Sequence, residues 1–378
     1  MRIPFNRPYF KGREFEYLKE VLDAGSVGGG GAFTKRAEGW LENRLGVPRA
    51  LLTTSCTAAL EMAVILAEIG PGDEVIMPSF TISSMANAVV LRGGIPVFVD
   101  IRADTLCMDE RLIEDALSSR TRAIMPMHYA GVACDMAVIK DMAQRHNLVV
   151  IEDAAHALLS AYKDSACGSL GDIATVSFHE TKNVVSGEGG ALLINRADLV
   201  ERAEVLLNLG TNRSQFKRGE VKRYEWLDIG SSYLPSELTA ACLFAQLEQA
   251  DSITARRREI WRHYHNAMEK HEEARRLTRP IVPADREING HIYCVLLPDT
   301  ETRGRIIEAL SSNGIDALTH YVPLHDTPAG RRYSRTAGTM KVTDSVAGRL
   351  LRLPIWVGIE PQLEWITDQV GAILAQPN

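Results

Sequence analysis

From residue 50 to about residue 195, short apolar runs alternate with stretches whose apolar positions recur at helical spacing. The runs predict strands over residues 51–53, 74–77, 97–100, 123–126, 148–152, 175–178 and 191–194. Short apolar runs bounded by turn residues suit strands covered on both faces of a sheet. Helical patterns between the earlier runs, such as 57–69 and 109–117, supply the crossovers that parallel strands need. Pro71-Gly72-Asp73 stops the first of these helices and turns the chain into the next strand. The expected fold is α/β, a mostly parallel sheet between helices.

After Leu234 the pattern changes. One long helical stretch, from residue 236 to about residue 271, is expected to bridge two units. The segments 291–297, 302–312, 317–322, 343–351 and 362–375 read as a smaller C-terminal α+β unit. The boundary is placed near residue 245, which gives a large domain of residues 1–245 and a small one of 246–378.

Composition narrows the function. A chain of 378 residues is long enough for a large core and usually splits into two domains. Its net charge of −6 argues against a nucleic-acid partner. The one basic run, Arg256-Arg257-Arg258 through Arg262, lies in the long helical stretch beside Glu259 and reads as a solvated helix face. Six cysteines without a Cys-x-x-Cys pair fit reduced thiols. The N-terminal residues lack the apolar run of a signal peptide, and no window approaches the ~20 apolar residues of a membrane span. A soluble, cytoplasmic protein without membrane partners is expected.

The candidate chemistry centres on Lys182, in Ser177-Phe178-His179-Glu180-Thr181-Lys182-Asn183, followed by Ser186-Gly187-Glu188-Gly189-Gly190. A lysine between a strand end and a glycine turn suits imine formation with a carbonyl compound. The strand aims the amine, and the glycines let the backbone pass close to a planar cofactor. Upstream, the apolar run Val149-Val150-Ile151 ends in Glu152 and Asp153, as a buried strand does when it delivers a carboxylate to a site at its carboxyl end. Lysine plus a strand-end aspartate is the pair that pyridoxal 5'-phosphate needs: one forms the imine, the other keeps the pyridine nitrogen protonated. Thr57 opens a helix directly after the strand at 51–53, and a helix N-terminus is a ready phosphate site.

The segments Asp153-Ala154-Ala155-His156, Ser177-Phe178-His179 with Lys182, and Gly187-Glu188-Gly189-Gly190 resemble the DegT/DnrJ/EryC1/StrS nucleotide-sugar aminotransferases. Those enzymes have the aspartate-aminotransferase fold (fold type I). Leu52-Thr53-Thr54-Ser55-Cys56-Thr57-Ala58, His128-Tyr129-Ala130-Gly131-Val132-Ala133-Cys134, Gly210-Thr211-Asn212-Arg213-Ser214-Gln215-Phe216 and Asp228-Ile229-Gly230-Ser231-Ser232-Tyr233-Leu234 are similar to the branch that aminates dTDP-4-keto-6-deoxyglucose. The resemblance implies a ping-pong aminotransferase with glutamate as donor, Lys182 as imine former and proton carrier, and Asp153 on the pyridine nitrogen. It implies that Cys56, Thr57 and Ser177 hold the phosphate and that His156 lies near the cofactor. The position for an aromatic over the ring falls on Ile82, with Phe80 as the alternative cover. Ser232 is implied to reach the phosphate of a partner subunit, which makes the protein a homodimer with shared sites. His320, Tyr321 and His325 are implied to line the sugar site, and Arg213 is a candidate for the diphosphate. The two histidines lack a third ligand at metal-site spacing, so no metal is expected.

Two other readings compete. The dehydratase branch of the same family has histidine where this chain has Lys182, and a non-catalytic regulatory member would not need Lys182, Asp153 and Ser177 together. The product is open between dTDP-4-amino-4,6-dideoxy-glucose and -galactose.

Overall fold

The computed structural model describes residues 2–375. Its centre is an eight-stranded sheet. Across it run Arg49–Thr53, Gly190–Ile194, Ile173–Ser177, Val149–Asp153, Thr121–Ile124, Glu74–Pro78, Ile95–Val99 and the short edge strand Arg335–Thr336. Every pair from Ile173–Ser177 to the Arg335–Thr336 edge is parallel. Gly190–Ile194 runs antiparallel to both its neighbours. It follows Ile173–Ser177 through a loop rather than a helix, which only an antiparallel pair permits. That loop carries Lys182.

These strands are buried nearly throughout, as their unbroken apolar runs require. Helices Cys56–Leu66, Ser83–Leu91 and Met136–His146 bury apolar faces of the kind that contribute about 1.5–3 kcal/mol per fully buried Leu or Ile side chain. The edge strand is tied in by Arg335, which hydrogen-bonds the wholly buried Glu74 carboxylate at 2.6 Å. With Arg120 and Ser118 also bonded to it, Glu74 is held down at a pKa of about 2.

The long helical stretch is broken at Gln249 into Glu237–Glu248 and Ala250–Ala267, with a further turn at Glu269–Glu273. The first helix buries Ala240, Leu243 and Leu247 in the large core; the second sends Ile260 and Tyr264 into a separate, smaller one. That smaller core lies around the antiparallel pair Tyr293–Leu296 and Leu350–Leu353 and the helices Thr300–Ser312 and Leu363–Ala375. Residues 317–322, expected to be regular structure, make only one bridge, Leu318 to Arg352. The chain then turns inward, and His320 and Tyr321 pack on Phe80 and Tyr129 instead of pairing with a strand.

The basic run departs from a solvated face. Arg256 and Arg258 pair with Glu360 and Glu287, but Arg257 is buried and donates to the Gly290 and His291 carbonyls. One residue per 100° around the helix separates their environments, and a run of like charges does not reveal which faces inward.

Candidate active site

Parallel strands share one carboxyl edge, so Asp153 and Ser177, each the last residue of its strand, arrive on the same side of the sheet. Strand alternation then separates Glu152 from Asp153. Glu152 turns away and is fully used: it bonds His128 at 2.9 Å and accepts the N–H groups of Gly168, Leu170 and Gly171. Asp153 faces a cavity of about 230 Å³.

The loop after Ser177 is fastened by hydrogen bonds from Phe178 N–H to Gly189, Ser186 N–H to Phe178, and Glu180 N–H to Gly187. Gly187 sits at φ +87°, a conformation that side-chain-bearing residues avoid. Gly190 packs so tightly on the start of helix Cys56–Leu66 that a Cβ there would lie 2.4 Å from the Cys56 nitrogen. The helix start is thereby brought beside Lys182, whose side chain lines the cavity.

Cys56, Thr57, Ile82, Asp153, His156, Ser177 and Lys182 all line this one cavity. Ser55 caps the helix by accepting the Ala58 N–H, and the first-turn residues Cys56 and Thr57 lie just inside that cap at the cavity wall. Ile82 is 44% exposed at the head of helix Ser83–Leu91, whereas Phe80 is 1% exposed and packs edge-on against Tyr321. Of the two residues weighed as the ring's cover, only Ile82 faces the cavity.

A second cavity, about 250 Å³, shares Ile82, His156, Thr181, Lys182 and Tyr321 with the first. His320 lines it too, and its ring lies on Tyr321 with 3.8 Å between centroids. Tyr129 Oη and His320 Nδ1 are 2.7 Å apart. The Ala130 N–H donates to His156 Nδ1, so the proton of the neutral ring sits on Nε2, 3.3 Å from Tyr321 Oη.

Three expected residues lie elsewhere in this chain. His325 lines neither cavity; its ring joins Ser79 at 2.7 Å and Asp344 at 3.2 Å, so the expected sugar contact gives way to a tie between loops. Arg213 lines a different cavity, about 340 Å³, with Lys35, Arg49 and Lys217. Ser232 is exposed and forms a backbone bridge with Asn208. Sequence reasoning missed Arg352, Arg257, His291, Phe5 and Asn6, all of which line the second cavity. The one available signal was Arg352 itself, a lone charge within the apolar strand Leu350–Leu353.

Burial dominates the electrostatics. It raises the pKa of Asp153, against the opposing pull of the Ala155 N–H and of Lys182. It lowers that of Lys182, partly offset by Cys56 and Asp153. The Cys56 thiol is pushed up to about 12 by burial and then by the Asp153 charge. His156 and His291 fall well below the usual imidazole range and His320 falls to about 2, in each case first through burial.

The sequence profile of the DegT/DnrJ/EryC1/StrS aminotransferase family matches residues 8–370. The chain belongs to that family. It is 34% identical over 378 residues to GDP-perosamine synthase of Caulobacter vibrioides, covering 99% of this chain and 98% of that one. Its structure superposes on the aminotransferase TlmJ from Streptoalloteichus hindustanus with a TM-score of 0.91, at 29% identity and 99% coverage of both chains. Spr1654 of Streptococcus pneumoniae, in its PMP form, gives a TM-score of 0.88 at 25% identity, with 98% and 99% coverage. The protein is therefore a pyridoxal-phosphate-dependent sugar aminotransferase of fold type I.

The residues present fit that cofactor. Asp153 is completely buried, and its Oδ2 has no hydrogen-bond partner among the described residues while Oδ1 accepts the Ala155 N–H. A protonated ring nitrogen is the donor such an oxygen requires. No helix among the described residues is long and apolar enough to cross a membrane.

Proposed function

We propose that the enzyme moves the amino group of glutamate to C4 of dTDP-4-keto-6-deoxyglucose, giving dTDP-4-amino-4,6-dideoxy-glucose or -galactose. The observation that carries the transamination is the place of Lys182, whose side chain lines both cavities and so serves a reacting carbon between them. Pyridoxal phosphate supplies the electron sink that makes removal of a proton from an amine-bearing carbon feasible. Lys182 takes that proton from the donor's α-carbon and delivers a proton to C4 of the sugar. Asp153 holds the ring nitrogen's proton, while Cys56, Thr57 and Ser177 hold the phosphate at the helix start. Ile82 covers the ring, His156 steadies its surroundings through Tyr321, and His320 and Tyr321 wall the sugar's approach.

The dTDP assignment is supported by Thr211-Asn212-Arg213 and Gly230-Ser231-Ser232. A GDP-linked ketosugar is the second reading, favoured by the likeness to a GDP-perosamine synthase. Assays with dTDP-, UDP- and GDP-linked 4-ketosugars side by side are expected to give the highest kcat/KM for dTDP. A GDP value equal or higher moves the enzyme to the second reading.

The working unit is proposed to be a homodimer, with Ser232 reaching the cofactor phosphate of a second copy and Arg213 on the same segment facing its diphosphate. Ser232 is exposed, and Trp226 nearby is 80% exposed, with Leu227 and Ile229 also uncovered, as an apolar face awaiting a partner would be. Sedimentation is expected to show a dimer. Ser232→Ala is expected to weaken cofactor binding about tenfold, the loss of one hydrogen bond to a charged group; a fully active monomer contradicts the proposal. The six cysteines are all free, which supports a cytoplasmic, reducing location. The two cores support a two-domain reading, but the large core runs past the expected boundary at residue 245 to Ala250 and takes in Leu324, Met340 and Val346 from the C-terminal segment.

A further inference from the structure

Two histidines of the second cavity are held in opposite tautomers by buried neighbours. His291 Nδ1 and Asn183 Oδ1 are 3.0 Å apart, and the Asn183 amide nitrogen donates to the Asn289 carbonyl at 3.0 Å. A backbone carbonyl only accepts, so the amide turns its nitrogen to Asn289 and its oxygen to His291. Nδ1 of the neutral His291 ring therefore carries the proton, and Nε2 is left as a lone pair. That nitrogen has no partner among the described residues, and the ring lines the cavity. His320 is the reverse case. The buried Tyr129 hydroxyl has no acceptor among the described residues other than His320 Nδ1, at 2.7 Å, so the proton of that ring sits on Nε2.

The His291 ring is fixed in place as well as in tautomer. Its backbone N–H donates to Asn289 Oδ1 at 3.0 Å, its carbonyl accepts from Arg257 at 2.9 Å, and its face lies on His156 with 4.5 Å between centroids. Asn183 follows Lys182 directly in the chain, so this acceptor is anchored to the neighbour of the reacting lysine. A lone pair in such a place selects its ligand. It excludes a carboxylate, which at neutral pH only accepts. An ammonium would stand among Lys182, Arg257 and Arg352, the cations that, after burial, keep His291 itself from taking a proton. What remains is an uncharged donor, a hydroxyl. In a 4-keto-6-deoxy sugar the carbonyl carbon has one hydroxyl beside it, on C3, because C5 carries the ring oxygen and the methyl group.

We propose that His291 Nε2 accepts a hydrogen bond from the ketosugar hydroxyl next to the reacting carbon, with Asn183 as the positioning residue that fixes the ring's tautomer. The proposal rests on the ketosugar reading above and names the group of the sugar that sets specificity there. Without that hydroxyl a buried acceptor is left unpaired, so the site rejects a deoxy analogue instead of merely losing one contact to it.

The test uses the cofactor-loaded full chain and follows the two half-reactions separately by the cofactor's visible absorbance. Glutamate alone removes the absorbance. A 4-keto-6-deoxyglucose, on the nucleotide that the assays above favour, restores it, beside the same compound lacking the C3 hydroxyl. Wild type is expected to prefer the parent sugar over the 3-deoxy compound by about 100-fold in kcat/KM. His291→Phe is expected to lower kcat/KM for the parent by about 30- to 100-fold, and to change the deoxy compound and the glutamate half-reaction by less than about threefold. His291→Gln, whose amide oxygen still accepts, is expected to recover part of the loss. Asn183→Leu, which frees the tautomer, is expected to cost about tenfold on the parent alone. Equal turnover of the two sugars by wild type overturns the proposal without any variant. So does an equal loss on both in His291→Phe, which makes the ring a packing element. In both cases the ketosugar reading stands. If glutamate removes the absorbance and neither sugar restores it, that reading fails and the hydroxyl assignment falls with it.

Discussion

Replacing Lys182 with alanine is expected to lower transamination by about 10⁴-fold or more and to abolish the visible absorbance of the lysine-linked cofactor. The magnitude is at the upper end of what a positioned proton carrier contributes, because here the same amine also forms the covalent link. No other lysine lines either cavity, and the nearby histidines are buried and neutral. Burial lowers the lysine's pKa, which leaves more of it as the free amine at neutral pH than an exposed lysine would offer. The fold should survive, since among the described residues the Lys182 side chain has no hydrogen bond or ion pair that the loop depends on; the loop is held by backbone bonds at Phe178, Glu180 and Ser186. The checks are steady-state rate, visible spectrum and circular dichroism on the same preparation. Near-native turnover would remove Lys182 from the mechanism.

Asp153→Asn is expected to keep cofactor binding within a few fold while lowering kcat by about 10²- to 10⁴-fold. The phosphate end is proposed to rest on a different element, the start of helix Cys56–Leu66 that lines the same cavity, so binding is not expected to hinge on the ring nitrogen. The rate is. A carboxylate in this buried place stabilises a proton on the ring nitrogen, whereas an amide has no charge to oppose its loss. The raised pKa of Asp153 gives the same sign: burial disfavours the lone carboxylate, and a cationic partner at Oδ2 is what restores its charge. Cofactor affinity from equilibrium dialysis and kcat from single-turnover kinetics separate the two effects. An unchanged kcat would place the electron-sink function elsewhere.

The strand-loop-strand unit from Val149 to Ile194 was legible because its information is contiguous. An apolar run ending in acids, a lysine and a glycine turn each act within a few residues of their own position. The same holds for the helix start at Cys56, where a strand, a cap and a helix follow one another directly. His325 shows the opposite case. Its neighbours His320 and Tyr321 reach the cavity, but the short turn at Leu324–Asp326 carries the His325 ring back to Ser79.

By itself the sequence determined the α/β order of elements, the lysine-aspartate pair and the helix start that lies beside them, because periodicity and strand ends are local properties of the chain. Only the tertiary structure decided which of two adjacent acids faces the cavity, that Ile82 rather than Phe80 is uncovered, and that Arg257 is buried while its neighbours are paired. It also decided that Arg352, from the small core, meets Phe5 from the N-terminal segment beside Lys182. These outcomes depend on which face of an element is covered and by what. That is set by the packing of segments far apart in the chain, where the cost of burying a charge is met or left open by residues that no local pattern names.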